Sequence, residues 1–257
     1  MTTTLTDCQP PSQRGGQYYC KQTTKAYLSM EKLPESSNSL AKTMCPERTP
    51  EQFDAWASDY DQYIRIGIDS FPFRGYEEVL NRIVELAAPK RGMKILDVGI
   101  GTGNLAQRFI EFECEVWGID YSSGMLEKAR KKVPDVRLFQ VDVESDWPKE
   151  LKTGFDCIVS AYTLHHLTLE RRVAVIRRMT DELLRERGSI IVGDISFPSF
   201  SARTKAREKL GNEWDDDEYY WAADEFNAMI SGHNLYVAYE QVSEFGGVYV
   251  IVPPFRR

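Results

Sequence analysis

Several features of targeted, metal-stapled or membrane proteins are missing from this sequence. It has no Cys-x-x-Cys pair, and its five cysteines and three histidines show no zinc-binding spacing. No apolar run approaches the ~18 residues that a membrane helix needs. The N-terminus, Met-Thr-Thr-Thr-Leu-Thr-Asp, has neither the basic nor the apolar region of a secretory signal. These absences predict a cytoplasmic protein with free thiols, without a membrane partner and without a metal site.

The charge balance argues against a nucleic-acid partner. The formal net charge is −7, and no basic face is visible. Four arginines, Arg171, Arg172, Arg177 and Arg178, cluster on one predicted helix, where we interpret them as a solvated helix surface. With 42% hydrophobic residues among 257, the chain is long enough for one sizeable core. We therefore expect one globular domain, as a monomer or a homodimer.

Residues 1–50 differ from the rest of the chain. They are rich in Thr, Ser, Gln and Pro and have little apolar periodicity, which predicts a flexible N-terminal extension. The folded domain is predicted to span 51–257. Within it, strand-like and helix-like segments alternate, which is typical of a parallel sheet with helices on both faces. The predicted strands are 94–98, 115–119, 136–141, 155–160 and 189–194, and helices are predicted at 75–88, 103–113, 123–132 and 168–185.

The pattern changes after the fifth predicted strand. Residues 201–231 have a helical pattern with an acidic and aromatic middle, and we predict that they form a lid. Residues 234–243 and 247–253 are two strand-like segments with no helix between them. They are expected to pair as an antiparallel hairpin at the edge of the sheet.

A glycine-rich corner follows the first predicted strand. Asp97 precedes Gly99, Gly101 and Gly103, and a helical pattern begins at once. Glycines at such a corner allow a tight turn and the close approach of a ligand. A dinucleotide site would have a third glycine where Asn104 stands, and Asp97 would repel a pyrophosphate. A carboxylate instead suits a ligand that carries an ammonium and a sulfonium, which favours S-adenosylmethionine.

The ends of the next strands supply further candidate ligand contacts. Asp120 is placed to accept two ribose hydroxyls, although it can equally cap the following helix. Asp142 is placed to accept the adenine amine, with the Val143 amide reaching a ring nitrogen. Met125 is predicted to pack on the adenine or to be plain core. The predicted cofactor-binding set also includes Tyr121 and Ser160.

These motifs together resemble the class I S-adenosylmethionine-dependent methyltransferases, and more narrowly those of the YrrT type. The similarity covers about residues 51–252, and it is strongest at 53–61, 93–106, 116–130, 158–167 and 211–223. It implies a Rossmann-like, doubly wound sheet of seven strands with the last strand antiparallel. It also implies that Asp97, the three glycines, Asp120 and Asp142 contact the cofactor.

Candidate catalytic residues come from three segments. His165 and His166 follow the fourth strand, where an imidazole can orient an acceptor or take its proton; they can equally serve packing, and neighbouring histidines are not expected to bind one metal ion. Tyr60 is a candidate for covering the methionine end of the cofactor. The run Trp-Asp-Asp-Asp-Glu-Tyr-Tyr-Trp at 214–221 is either a cation-attracting acceptor site or a solvated lid face with its aromatic rings turned inward.

Three functions remain open from the sequence. The first is transfer of a methyl group from S-adenosylmethionine to a small molecule by in-line displacement, which leaves S-adenosylhomocysteine. The second is a non-catalytic S-adenosylmethionine-binding module. The third is an NAD-dependent oxidoreductase, which Asp97 and Asn104 disfavour.

Overall fold

The computed structural model describes residues 49–254. The predicted flexible extension, apart from its last two residues, lies outside this range. The helices are α1 (Pro50–Ala57), α2 (Tyr60–Gly67), α3 (Tyr76–Ala87), α4 (Asn104–Ile110), α5 (Ser123–Lys132), α6 (Leu169–Arg178), α7 (Phe200–Leu210) and α8 (Ala223–Ile230). The strands are β1 (Lys94–Val98), β2 (Glu115–Asp120), β3 (Arg137–Gln140), β4 (Phe155–Ala161), β5 (Leu184–Phe197), β6 (Trp221–Ala222), β7 (Tyr236–Gln241) and β8 (Gly246–Val252).

One mixed sheet organises the domain. Its main path has the order β3-β2-β1-β4-β5-β8-β7, and the two-residue strand β6 pairs with the end of β5. Strands β1 to β5 are parallel, whereas β8 runs antiparallel to both β5 and β7. The predicted Rossmann-like sheet of seven strands with an antiparallel last strand is confirmed. The hairpin prediction also holds, with β8 lying inside the sheet and β7 at its edge.

Two predicted helices are too long. The helix predicted at 168–185 ends at Arg178, a π-helical turn follows at Met179–Leu183, and β5 begins at Leu184. Helical spacing of apolar residues continues through this turn, so the sequence pattern hides its end. The helix predicted at 103–113 ends at Ile110, because Glu113 takes a left-handed backbone conformation (φ 56°) that turns the chain toward β2.

The segment 201–231 is only partly helical. After α7, Gly211 has a positive φ of 52° and ends the helix, and residues 214–220 run without a helix to β6. Trp214, Tyr220 and Trp221 are buried, whereas Asp216 and Asp217 are exposed. Burial of these rings outweighs the helical periodicity of the sequence. Three of the four aromatic residues of the run are thus turned inward, close to one of the two alternatives predicted, whereas Tyr219 is exposed.

The sheet separates two apolar layers. Successive residues of a strand point to opposite faces, so Ile95 packs in one layer and Leu96 in the other. Helices α3, α4 and α5 cover the first face, and α6 and α8 cover the second. Within residues 49–254, none of the helices is both long and apolar enough to cross a bilayer.

Two phenylalanines near the end of α4 test this layer arrangement. Phe109 is fully buried, whereas Phe112 is 47% exposed. We expect Phe109→Ala to lower the free energy of unfolding by about 3–5 kcal/mol, because it leaves a cavity in the core. Phe112→Ala is the matched control and should change it by less than about 0.5 kcal/mol. Urea unfolding followed by circular dichroism measures both, and equal losses would contradict the assignment of Phe109 to the core.

Candidate active site

The parallel strands bring the predicted cofactor residues to one edge of the sheet. Strand β1 lies between β2 and β4, and the register pairs Asp97 with Gly118 on one side and Val159 on the other. The carboxyl ends of these strands therefore open on the same side. The chain passes from β1 toward one edge of the sheet and from β4 toward the other. Ligands of α/β sheets bind at this point of divergence.

The three glycines after β1 have different reasons to be glycine. All three have positive φ angles: 71° at Gly99, 55° at Gly101 and 90° at Gly103. A Cβ atom on Gly99 would lie 2.2 Å from the side chain of Thr163, so this glycine admits the chain that follows β4. A Cβ on Gly101 would meet nothing closer than 4.0 Å. The main chain at Gly101 thus presents an uncovered surface to a ligand.

Asp97 is a buried carboxylate whose hydrogen bonding is incomplete. It is 1% exposed, and its Oδ2 atom has no hydrogen-bond partner in the protein. Burial, and secondarily the charge of Asp120, raises the pKa of Asp97 to about 8. A buried acceptor without a donor is costly. The residue therefore suits a cationic hydrogen-bond donor placed beside the glycine loop.

Asp120 ends β2 and anchors two backbone amides. Its Oδ2 accepts from the Gly101 amide and its Oδ1 from the Ser122 amide, both at 2.9 Å. Burial raises the pKa of Asp120, while these hydrogen bonds act in the opposite direction. Each carboxylate oxygen can accept a second hydrogen bond. The side chain is thus held in a fixed orientation and keeps acceptor capacity for a pair of hydroxyls.

The remaining predicted cofactor residues are placed less uniformly. Met125 is buried in α5, and Tyr121, which follows Asp120 in the chain, is half-buried. Asp142 is exposed after β3, and its Oδ1 accepts from the Glu144 amide at 2.9 Å. Ser160 is buried, and its hydroxyl donates to the Val98 carbonyl at 2.8 Å. That hydroxyl therefore joins β4 to β1.

Two acidic residues that the site prediction missed hold the N-terminal helices as a cover over the loops that follow β1 and β2. Asp54 of α1 accepts from the Gly124 amide at 2.7 Å and from the Ser122 hydroxyl. Asp61 of α2 accepts from the Thr102 hydroxyl at 2.6 Å and from the Lys132 ammonium. The only sequence signal was their position in the stretch 53–61.

Tyr60 and Phe53 also belong to this cover. Tyr60 begins α2 and packs, half-buried, against the core. The Phe53 ring lies 5.1 Å from the Tyr121 ring and 5.1 Å from the His166 ring, both edge-on. Phe53 thus lies between the end of β2 and the turn after β4. It contacts both Tyr121, a predicted cofactor residue, and His166, a predicted catalytic residue.

Four side chains form a histidine–carboxylate cluster after β4: His165, His166, Asp194 and Glu218. The Nδ1 atom of His165 lies 2.6 Å from Asp194 Oδ1, and its Nε2 atom lies 3.5 Å from Glu218 Oε2. The Nδ1 atom of His166 lies 3.9 Å from Glu218 Oε1. The site prediction did not include Asp194 or Glu218. Asp194 ends the predicted fifth strand, as Asp120 ends the second, and this position was a usable sequence signal. Glu218 lies in the acidic run 215–218, where the sequence does not distinguish it from its neighbours.

Arg172 holds the histidines and Glu218 of this cluster in place. The interpretation of this arginine as part of a solvated helix surface is wrong. The side chain is buried, and its guanidinium donates to the carbonyls of Leu164, Leu167 and Tyr219. Burial lowers its pKa to about 10, so the group still carries a charge at neutral pH. The guanidinium also stacks over the Trp221 ring at 4.0 Å. Arg172 thereby ties the turn that carries His165 to the segment that carries Glu218.

Comparison with known proteins matches residues 95–188 to the sequence family described as a methyltransferase domain. An uncharacterized methyltransferase of Anoxybacillus flavithermus is 32% identical over 203 residues, covering 75% of this chain and 92% of that protein. The uncharacterized methyltransferase YrrT of Bacillus subtilis is 31% identical over 204 residues, with 75% of this chain and 92% of YrrT covered.

Solved structures share the fold at lower identity. The DhpI–SAH complex superposes with a TM-score of 0.61 at 17% identity, covering 80% of this chain and 96% of that one. The magnesium protoporphyrin IX methyltransferase of Synechocystis, solved with bound SAH, gives a TM-score of 0.58 at 16% identity, covering 78% and 97%. These solved structures therefore share the fold over about four-fifths of this chain.

The burial of Asp97 predicts a pH dependence of stability. Its pKa is about 8 in the folded protein, against about 3.9 in the unfolded chain. Between these values the unfolded chain ionises first, so this residue destabilises the fold progressively as the pH rises and no further above about 8. Asp97→Asn removes the effect. We expect the ligand-free variant to gain at least about 1 kcal/mol relative to wild type between pH 5 and pH 8.5.

Chemical unfolding at a series of pH values measures this difference. Asp135→Asn, at an exposed aspartate, controls for the loss of a charge. A stability difference between Asp97→Asn and wild type that stays flat with pH would contradict the raised pKa.

Proposed function

The chain belongs to the YrrT-type family of class I S-adenosylmethionine-dependent methyltransferases, and on this premise we propose that it methylates a small-molecule acceptor. S-adenosylmethionine supplies the methyl group, and S-adenosylhomocysteine is the product. The carboxyl ends of the strands lie under a cover formed by α1 and α2 on one side and the segment 211–222 on the other. This cover is the observation that supports a small acceptor. Asp54 and Asp61 fasten it from one side, and Arg172 fastens the 211–222 segment from the other.

On the cofactor side, the features of Asp97, Gly101 and Asp120 support the proposal most directly. The unpartnered Oδ2 atom of Asp97 suits the ammonium of the methionine moiety, and the uncovered main chain at Gly101 admits the cofactor. Asp120 is oriented to accept both ribose hydroxyls. Asp142 and the Val143 amide are proposed to contact the adenine edge. We propose that Met125 and Tyr121 pack against the cofactor. Gly99, Gly103 and Ser160 are proposed to shape the glycine loop.

On the acceptor side, we assign the space beside the His165 turn. Methyl transfer is an in-line displacement, so the protein chiefly has to hold the nucleophile and the methyl group in line, an effect that can be worth about 7–11 kcal/mol. His165 is oriented by Asp194, and His166 is the more exposed of the pair. We propose that both position the acceptor and take its proton where it carries one, while Tyr60 closes the methionine end.

An anionic polymer fits this surface poorly as an acceptor. The acidic run at 215–218 borders the acceptor side, and the chain carries a net charge of −7, so phosphate backbones are repelled. The lid we propose is the segment 211–222, which begins with a 3₁₀ turn at Gly211–Glu213, with α7 before it and α8 after it, within the folded domain 51–257. We further propose that the protein acts in the cytoplasm.

Two alternatives remain to be separated by experiment. A binding module without turnover would need the same cofactor contacts, so measured turnover on a panel of thiols, amines and phenols decides against it. An oxidoreductase would place a pyrophosphate next to Asp97, whose burial and lack of a donor make it a poor neighbour for an anion.

Substitution of Asp120 tests the cofactor assignment. We expect Asp120→Ala to weaken S-adenosylhomocysteine binding by at least about tenfold, because both hydroxyl contacts and the support of the Gly101 amide are lost. Isothermal titration calorimetry measures the affinity, with Asp135→Ala as the exposed control. Unchanged affinity in Asp120→Ala would remove this residue from the proposed cofactor site.

Substitution of Tyr219 tests the lid. Tyr219 is 42% exposed, and its amide donates to the His165 carbonyl at 2.8 Å, so its side chain lies at the acceptor side without being core. We expect Tyr219→Ala to raise the acceptor KM several-fold and to leave cofactor Kd unchanged. Tyr236→Ala, at a 66% exposed tyrosine on the edge strand β7, is the control. An equal loss of both affinities would contradict a lid at this position.

A further inference from the structure

We infer that His165, His166 and Glu218 bind one divalent transition-metal ion, with Zn²⁺ the best match. The inference deepens the proposed function and rests on it, since the ion would lie on the acceptor side. One ligand atom from each residue lies within 4.8 Å of the others, and the geometry is set by a short 3₁₀ turn at Leu164–His166. The expectation of no metal rested on the lack of a zinc-binding Cys/His spacing and on the adjacency of the two histidines, yet in this turn their ring centroids lie 4.1 Å apart and both face Glu218.

The spacing of the ligand atoms is close to that of a zinc site. Zinc–nitrogen and zinc–oxygen bonds of about 2.0–2.2 Å in tetrahedral geometry place ligand atoms about 3.4 Å apart. The observed separations are 3.5 Å between His165 Nε2 and Glu218 Oε2, and 3.9 Å between His166 Nδ1 and Glu218 Oε1. All three separations, with one ligand atom taken from each residue, are within 4.8 Å, so side-chain movements of up to about an ångström close the site around an ion.

The surroundings hold His165 in the form that a metal requires. Metal-bound histidines usually donate their second ring N–H to a carboxylate, which fixes the tautomer and the ring orientation. Asp194 lies 2.6 Å from His165 Nδ1 and also accepts from the His165 amide at 3.1 Å, so Nε2 is directed at Glu218. Asp194 is fully buried and accepts from the Trp221 indole at 3.1 Å, which fixes its own position.

The donor set selects the kind of ion. Two imidazole nitrogens with one carboxylate suit Zn²⁺ and neighbouring transition metals, whereas Mg²⁺ and Ca²⁺ prefer oxygen ligands. Three protein ligands leave a fourth position for a water or a substrate, as in catalytic zinc sites. The side chains of His165 and Glu218 are 6% and 8% exposed, whereas that of His166 is 22% exposed. The open position therefore lies on the His166 side, next to Phe53 and the proposed cofactor.

This position specifies the acceptor as a small thiol or alcohol. With the ion bound, the two imidazoles are ligands and no longer take the acceptor's proton. A thiol or hydroxyl bound to the ion instead loses its proton to solvent more readily, because the ion stabilises the anion. Its lone pair then forms the new bond to the methyl carbon. The bond between that carbon and the sulfonium sulfur breaks, and its electron pair stays on S-adenosylhomocysteine.

Metal binding to the full-length protein tests the inference directly. The protein is freed of any affinity tag and stripped with a chelator, and Cys8, Cys20 and Cys45 are replaced by serine in a parallel preparation to exclude thiolate ligands. We expect Zn²⁺ titration to show one ion per chain. Co²⁺ should give visible bands of a nitrogen–oxygen site without a sulfur-to-cobalt charge-transfer band.

Matched variants locate the ion. His166→Ala and Glu218→Gln should each weaken Zn²⁺ binding by more than about 100-fold, since loss of a ligand exceeds the 10–100-fold cost of losing a supporting residue. His233→Ala and Asp217→Asn, outside the cluster, should bind Zn²⁺ as wild type does. Circular dichroism and S-adenosylhomocysteine binding confirm that each variant is folded. Weak binding by wild type, or equal binding by all four variants, would overturn the inference.

The result is separable from the proposed function. If S-adenosylhomocysteine binds and methyl transfer to a thiol or alcohol proceeds at full rate in metal-free protein, the metal inference fails alone. If Zn²⁺ binds as expected but neither S-adenosylhomocysteine binding nor turnover is found, the proposed function fails while the metal site stands.

Discussion

The acceptor side depends on one constraint, which is that the buried carboxylate of Asp194 must be surrounded by hydrogen-bond donors. A charge taken out of water is tolerated only when donors surround it. Asp194 obtains them from the ring and amide of His165, from the Trp221 indole and from the Ile195 amide. These donors come from the turn after β4, from β6 and from β5 itself. One side chain thus joins three segments that the sheet alone would leave separate.

The cofactor side and the acceptor side are stabilised by different means. The glycine loop and Asp120 are held by hydrogen bonds of backbone groups at the ends of adjacent parallel strands, and Asp61 adds one side-chain contact from α2. The acceptor side is assembled by long-range side-chain contacts, through Asp194 at the His165 turn and through Arg172 across the lid. Such contacts vary more easily, so one cofactor site can accompany many acceptors.

Local patterns explain what was predictable. Asp97, Gly101 and Asp120 lie at strand ends, where alternating apolar residues and glycines mark the turn without knowledge of distant contacts. The helices predicted at 168–185 and 201–231 failed where a tertiary contact overrode the periodicity. Leu184 pairs with Phe155 across the sheet, and Trp221 pairs with Ser196. Neither partner is near in sequence, so no window of residues contains the information.

The sequence by itself determined the parallel sheet, the closing hairpin and the acidic and glycine residues beside the proposed cofactor, because each depends on short-range order along the chain; the antiparallel last strand was implied by the family resemblance. Only the tertiary structure decided that Arg172 is buried, that Asp54 and Asp61 fasten the cover, and that Glu218 meets two histidines more than 50 residues earlier. Those outcomes depend on which polar groups find donors once the core has excluded water, and that pairing exists only in the folded chain.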